Sequence, residues 1–289
     1  MKWISLCLAA SLLSPLGLRA NENPSDVRSV ADLEKQHAGS RIGVMAIDPA
    51  RNKRVESRAE ERFLMCSTFK MLAVAAVLKR VDEKKEKLDR FVPYDEAQLL
   101  EYAPVTRAHV KEGGMTLEAL CAAALKQSDN TAANLLLDII GGPAGWTQFA
   151  RMLGDNSTHL DRKEPELNVA GPPGDERDTT TPAAMCADLQ RLFTSDVLSP
   201  ESRTRLEAWM QQNETGLKMI RANVPADWKV GDKTGRSGKG ACNDIAIVRP
   251  PAGGPIFIAI YVDAPNETSA GLDLLVGEAA KIAIKLLKK

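Results

Sequence analysis

The chain has 289 residues, long enough for two domains or one large one and for a sizeable hydrophobic core. With 38 Lys+Arg against 38 Asp+Glu, 44% hydrophobic and 26% charged residues, it reads as an ordinary globular protein, neither disordered nor fibrous. The absence of a basic surplus and an aromatic content of only 4% argue against nucleic acid as a partner.

The first twenty residues stand apart. Lys2 precedes an apolar run from Ile4 to Leu13, and the segment closes on Leu18-Arg19-Ala20, the pattern of a cleaved secretory signal. Residues 1–20 are therefore expected to be removed, giving a secreted or periplasmic protein. No later run approaches the roughly 18 apolar residues that a membrane span needs. Export permits disulfides among Cys66, Cys121, Cys186 and Cys242. No two of these cysteines form a CxxC pair and His37, His109 and His159 are scattered, so zinc spacing is missing and no metal is expected.

In chain order, a polar helix is expected from about Ser25 to Gln36. A strand follows over Ser40–Asp48, stopped by Pro49, with a hairpin partner over Arg54–Ser57. The middle is helical: Thr68–Val81, Leu117–Lys126, Thr131–Ile140, Ala144–Leu153, Pro182–Phe193 and Pro200–Gln211 have helical length and punctuation. Between them, Asp161–Asp178 forms one long irregular stretch rich in Pro and Gly, and loops of that length commonly carry function. Strands return over Trp228–Lys233, Asn243–Arg249 and Ile256–Asp263, before a closing helix over about Leu272–Leu287.

Strands at both ends of a helical middle predict an α/β (α+β) fold. Residues 21–60 and 212–289 would build one antiparallel five-stranded sheet flanked by helices, and 61–211, including the loop 161–178, an inserted all-helical domain. Ligand sites favour such junctions, so the active site is expected between the two.

Ser67 precedes a helix that is apolar nearly all round, and Lys70 lies one turn later on the same face. A buried lysine must pair with an anion or lose its proton, and a neutral one could serve as a base toward the Ser67 hydroxyl. At a helix N-terminus, backbone N–H groups favour a developing oxyanion. The same residues also describe a capping serine and a lysine that snorkels to water. Ser128-Asp129-Asn130, at a break between helices, would serve as a helix cap. Lys233-Thr234-Gly235, where a strand ends, suits a carboxylate ligand or a plain turn. Glu164 lies four residues before Asn168, a spacing able to hold one water or merely to face solvent.

In order, Ser67-x-x-Lys70, Ser128-Asp129-Asn130 and Lys233-Thr234-Gly235 form the motif set of class A β-lactamases and penicillin-binding proteins, and the chain resembles the class A serine β-lactamase family. The likeness includes Ser128-Asp-Asn-Thr-Ala-Ala-Asn-Leu-Leu136 and Asp175-Glu-Arg-Asp-Thr179, and Arg162-Lys-Glu-Pro-Glu-Leu-Asn168 resembles the loop that separates class A enzymes from the related peptidases.

The resemblance implies Ser67 as nucleophile, with Lys70, or Glu164 through a water, as acylation base. It implies Glu164 with Asn168 as holders of the deacylating water and Ser128 as proton relay to the lactam nitrogen. Asn130 would bind the acylamide side chain and Tyr102 flank the entrance. Lys233, Thr234 and Ser237 would take the substrate carboxylate, the Gly235–Arg236 strand would line the site, and the oxyanion would meet the N–H groups of Ser67 and Arg236. Arg162 and Asp178 resemble an ion pair that closes the loop.

Some expected features are missing. Cys242 stands near the position of the arginine that often reinforces carboxylate binding, and Asp263–Ala280 contains no Arg or Lys, which leaves Arg236 first and Arg221 second as substitutes. The family's disulfide would join Cys121 to the position of Val74, and a second type would join Cys66 to that of Ser237. Neither can form, so Cys66, Cys121 and Cys186 are expected reduced and buried.

The implied protein is a monomeric β-lactam hydrolase without cofactor. A D-Ala-D-Ala peptidase would share the serine, the lysine and the Lys-Thr-Gly strand but would not need Glu164. A sensor would stop at the acyl-enzyme, and a Ser-His-Asp esterase would need a Gly-x-Ser-x-Gly turn that the sequence lacks.

Overall fold

The computed structural model describes residues 29–289; the expected signal segment, and the start of the first expected helix, lie outside them. Helix α1 (Val30–Gln36) begins at Ser29, whose hydroxyl caps Asp32 N–H. The chain then forms the hairpin β1 (Arg41–Asp48) and β2 (Lys53–Ser57), turned by a 3₁₀ segment over Pro49–Arg51 and by Asn52 in the left-handed region at φ 53°.

After the two-residue strand β3 (Phe63–Leu64), a 3₁₀ turn over Cys66–Thr68 leads into α2 (Phe69–Asp82). All ten residues from Phe69 to Leu78 are buried, as a helix without a polar face requires. Next come β4 (Phe91–Pro93), α3 (Thr106–His109), β5 (Gly114–Thr116), α4 (Leu117–Lys126), α5 (Asn130–Ile140) and α6 (Gly142–Met152). The long loop ends at β6 (Thr179–Thr180), which pairs with β3 and so ties the loop's exit to the chain just before Ser67. Helices α7 (Pro182–Thr194) and α8 (Pro200–Gln211) precede β7 (Lys229–Arg236), β8 (Ala241–Arg249), β9 (Ile256–Asp263) and α9 (Ser269–Lys288).

The main sheet is antiparallel and five-stranded in the order β2-β1-β9-β8-β7, so strands from both ends of the described chain meet at β1 and β9, with Val44 opposite Ile260. Helices cover both faces. One face carries Ile42, Val44, Ile258 and Ile260 into a core with α1 and α9. The other sends Met45, Ile245, Phe257 and Tyr261 into the core built by α2 and the helices around it. Because both faces are buried, β9 is a continuous apolar run rather than an alternating one.

Two departures from the sequence reading matter. Strand β7 does not stop at Lys233; it continues through Arg236, with Arg236 opposite Cys242, so the Lys-Thr-Gly motif lies within the strand. The pairings β3–β6 and β4–β5 involve two or three residues per strand, too short to leave a periodic signal. All four described cysteines are free and buried, and burial holds the Cys121 and Cys186 thiols well above their ordinary range.

Candidate active site

Ser67, Lys70, Ser128, Glu164 and Lys233 converge where α2, the start of α5, the long loop and β7 meet. The Ser67 hydroxyl donates to Glu164 Oε1 at 3.0 Å, and Lys70 Nζ lies 3.1 Å from the same oxygen. Lys70 also donates to Ser128 O at 2.8 Å and Asn130 Oδ1 at 2.6 Å, with Ser128 Oγ at 3.3 Å. Every neighbour in that set accepts hydrogen bonds, the environment of an ammonium. Burial pulls the Lys70 pKa down, and the Glu164 carboxylate opposes that shift.

Lys233 Nζ approaches the far side of Ser128, donating to its Oγ at 3.0 Å and to Thr234 O at 2.8 Å. Burial, followed by the charge of Lys70, lowers the Lys233 pKa to about 7. With two cations directed at its oxygen, the Ser128 hydroxyl is left to send its own hydrogen elsewhere.

The backbone is strained where these groups are held. Cys66, Ser128 and Asp178 all have positive φ, at 46°, 59° and 56°. Such conformations are costly for residues with a Cβ and persist where the surrounding structure enforces them. Cys66 bends the chain into the nucleophile's turn, and Asp178 sits where the loop returns to it: Met65 N–H donates to Asp178 O at 2.9 Å. Gly235 brings β7 against that turn. A Cβ there would lie 2.6 Å from Met65 O and 3.0 Å from Thr68 N, so only glycine lets the strand pack this closely on the turn that carries Ser67.

The loop is fixed at both ends. Arg162 Nε donates to Asp178 Oδ2 at 2.5 Å, while Asp178 Oδ1 accepts from the amides of Asp161 and Arg162 at 2.8 and 2.9 Å. Arg162 also donates to Val169 O at 2.7 Å, bracing the stretch that bears Asn168. Asn168 Nδ2 donates to Glu164 Oε2 at 2.5 Å, and its buried Oδ1 has no partner among the described residues. The Glu164–Pro165 peptide is cis.

Asn134, to which the sequence reading gave no role, grips Glu164: its Nδ2 donates to Glu164 O at 2.8 Å and its Oδ1 accepts from Glu164 N–H at 3.0 Å. Its signal was the i+4 spacing from Asn130 on one helix, which puts both on the face toward the loop. Asp129 does act as a cap, accepting from Ala132 N–H at 2.9 Å. It also takes the amides of Val105 and Thr106, each at 2.9 Å, thereby anchoring the segment that carries Tyr102. Tyr102 O accepts from Asn130 N–H, and the half-exposed Tyr102 hydroxyl donates to Gln127 O.

The remaining expected ligands are held by the protein itself. Arg236 pairs with Asp273, in the second turn of α9, and with Ser269 at its start. Arg221, the second candidate for a carboxylate, is committed beneath β7 to Asp232, with further bonds to Gln211 O and Met210 O. Asp232 is wholly buried, and its charge requires that partner. Ser237 Oγ accepts from the amides of Lys239 and Ala241 in the β7–β8 turn. Beside Asn168, a cavity of about 420 Å³ opens between the loop and this turn, lined in part by Arg62, Ala170, Glu176 and Ser237. Among the described residues, no cluster of His, Cys, Asp and Glu has the grouping of a metal site, and no helix is long and apolar enough to cross a membrane.

An α+β frame with a serine turn, two buried lysines and a loop-borne carboxylate at one point defines the class. Residues 27–287 match the family model described as the beta-lactamase enzyme family, and the chain belongs to it. It is 46% identical to beta-lactamase AST-1 of Nocardia asteroides over 89% of this chain and 82% of that one. It is 44% identical to beta-lactamase CTX-M-8 of Citrobacter amalonaticus over 96% and 93%. Among solved structures, the class A beta-lactamase of the last common ancestor of Gram-negative bacteria (GNCA4) superposes with a TM-score of 0.86 at 52% identity, covering 89% of this chain and 97% of that chain. A beta lactamase from Burkholderia vietnamiensis gives a TM-score of 0.87 at 45% identity, covering 90% and 95%.

Proposed function

We propose that the protein is a serine β-lactamase that opens the β-lactam amide of penicillins and cephalosporins through an acyl-enzyme on Ser67, conferring resistance to them. The observation that carries this reading is the direct hydrogen bond from Ser67 Oγ to Glu164 Oε1 at 3.0 Å, on an oxygen also held by Lys70. A carboxylate placed there takes the serine proton as the oxygen attacks the lactam carbonyl, which favours Glu164 over the ammonium of Lys70 as acylation base. The amides of Ser67 and Arg236 receive the oxyanion, a contribution worth about 10²–10³-fold per donor.

As the C–N bond breaks, the Ser128 hydroxyl gives its proton to the lactam nitrogen and is resupplied from the lysine side, where Lys70 and Lys233 both reach its oxygen. Glu164 passes the serine proton to Lys70, whose Nζ lies 3.1 Å from its Oε1, and so is a carboxylate again when it draws a proton from the water that attacks the ester; that proton goes on to the departing Ser67 oxygen. Asn168, bonded to Glu164 Oε2 and offering an unpaired Oδ1, fits the task of orienting that water. Lys233 and Thr234 take the substrate carboxylate, and Asn130 the acylamide group. No cofactor enters these steps. Every group in these steps comes from one chain, so the chemistry needs no second copy, and the Ile4–Leu13 run behind Lys2 supports export to the periplasm.

Mass spectrometry of the protein with excess benzylpenicillin tests the proposal. Sustained penicilloate release with little standing adduct is expected; a persistent single adduct would point instead to a penicillin-binding peptidase or sensor. Ser67→Ala should not label, and Glu164→Gln should react slowly and accumulate adduct.

A further inference from the structure

Beneath the carboxylate-binding strand runs a chain of side chains whose hydrogen-bond polarity can be assigned without seeing a hydrogen. Asn213 is buried; its Nδ2 donates to the buried carboxylate of Asp232, and its Oδ1 accepts the backbone N–H of Thr215 at 3.0 Å. An amide N–H can only donate, so that contact fixes which end of the Asn213 amide is oxygen. The same Oδ1 lies 2.7 Å from Thr215 Oγ1 and carries no hydrogen, so the Thr215 hydroxyl is the donor there. Thr215 has then spent its one hydroxyl hydrogen. The remaining contact of Thr215 Oγ1, with Thr234 Oγ1, must be donated by Thr234. Gly216 closes the arrangement from below, since a Cβ there would fall 2.0 Å from Asp232 Oδ2.

The hydroxyl hydrogen of Thr234 therefore points at Thr215 and not into the site. A carboxylate accepts and cannot donate, so it gains nothing from Thr234 until that bond is broken. Once it is broken, two oxygens in close contact are left with no hydrogen between them, unless Thr215 abandons Asn213 in turn. We propose that Thr215 is a positioning residue that sets affinity for the substrate carboxylate by holding the Thr234 hydroxyl in the wrong polarity for an anion. The inference rests on the β-lactam reading above, in which Thr234 meets that carboxylate. Lys233, whose amine is independent of this chain of bonds, provides the charge in either state.

Steady-state hydrolysis of benzylpenicillin and of its methyl ester by the parent, Thr215→Val and Thr215→Ser tests this. Valine keeps the shape and removes the acceptor. Breaking one neutral hydrogen bond corresponds to roughly a 2- to 10-fold change, so Thr215→Val is expected to lower KM for benzylpenicillin by about that factor with kcat nearly unchanged. Thr215→Ser should retain the parental KM. The ester, which lacks the anion, should show no such fall, and in a Thr234→Val background Thr215→Val should have no further effect. An unchanged or raised KM for benzylpenicillin, or an equal change with the ester, overturns the proposal. If Thr215→Val loses its melting transition, Thr215→Ala gives the same readout. A parent that releases no penicilloate at all overturns the β-lactamase reading itself, and this inference with it.

Discussion

Asn134 holds Glu164 by both sides of its backbone, donating to the carbonyl at 2.8 Å and accepting from the amide at 3.0 Å. The loop's carboxylate is thereby referred to α5, the helix whose first residue, Asn130, also binds Lys70. Base and lysine share one rigid reference.

Replacing Asn134 with Leu keeps the volume and removes both bonds. Glu164 should then drift by enough to slow deacylation by about 10²-fold, the usual cost of a misplacement near 1 Å. Stopped-flow kinetics with benzylpenicillin should show a burst followed by a slow steady state, and an unchanged kcat would mean that the loop holds Glu164 without Asn134.

Gly235→Ala would drive a methyl group into Met65 O and Thr68 N. Neither backbone atom can retreat without moving Ser67, so the Arg236 amide should leave the oxyanion position and kcat/KM should fall by about 10²–10³-fold. Acylation, not deacylation, is expected to slow, and pre-steady-state labelling separates the two.

The charge on Lys233 gives a pH dependence. Burial first and Lys70 second bring its pKa to about 7, opposed by Asp232, Asp244 and Glu164. The cation is complete below that pH and is lost above it, so kcat/KM for benzylpenicillin should decline through an alkaline limb near pH 7, and the methyl ester should decline less. Because the folded pKa lies below the ordinary 10.5, the unfolded chain binds more protons between about 7 and 10.5. The lysine's contribution to stability therefore rises with pH across that window. A flat profile for both substrates would exclude this titration.

Asp178→Asn keeps the shape of the loop's anchor and removes its charge from a fully buried site where Arg162 remains. Breaking a buried pair from one side commonly costs about 3–5 kcal/mol; the partly exposed Arg162 places this case at the lower end, visible as a fall in Tm. Accumulation of acyl-enzyme should accompany it. Unchanged melting and turnover would show that the two amides on Asp178 suffice.

The sequence made the frame legible wherever punctuation met period. Leu117–Lys126, Pro200–Gln211 and Ile256–Asp263 lie where Thr, Ser, Pro and β-branched residues place them. It misjudged the end of β7, because the glycine at 235 breaks the strand signal after Thr234, and Gly235 and Arg236 owe their extended form to pairing with Asn243 and Cys242. The site's reactive groups were legible only as a set of three spaced motifs. Asn134, Asn213 and Thr215 were not, since each acts through one neighbour and none carries a charge. The ion pair of Arg221, the second candidate for the substrate carboxylate, was not legible either, because nothing in the chain's linear order reveals that Asp232 is buried beside it.

Strand β7 is the last in the sheet, paired to β8 on one side only. The turn at Met65–Thr68 sits on the face of the sheet, over Gly235 of β7 and over Asn243 of β8, whose Nδ2 donates to Met65 O at 3.0 Å. The segment that presents the nucleophile is thus seated on two strands, and damage to it would be felt both in the edge strand that lines the site and in its inner neighbour.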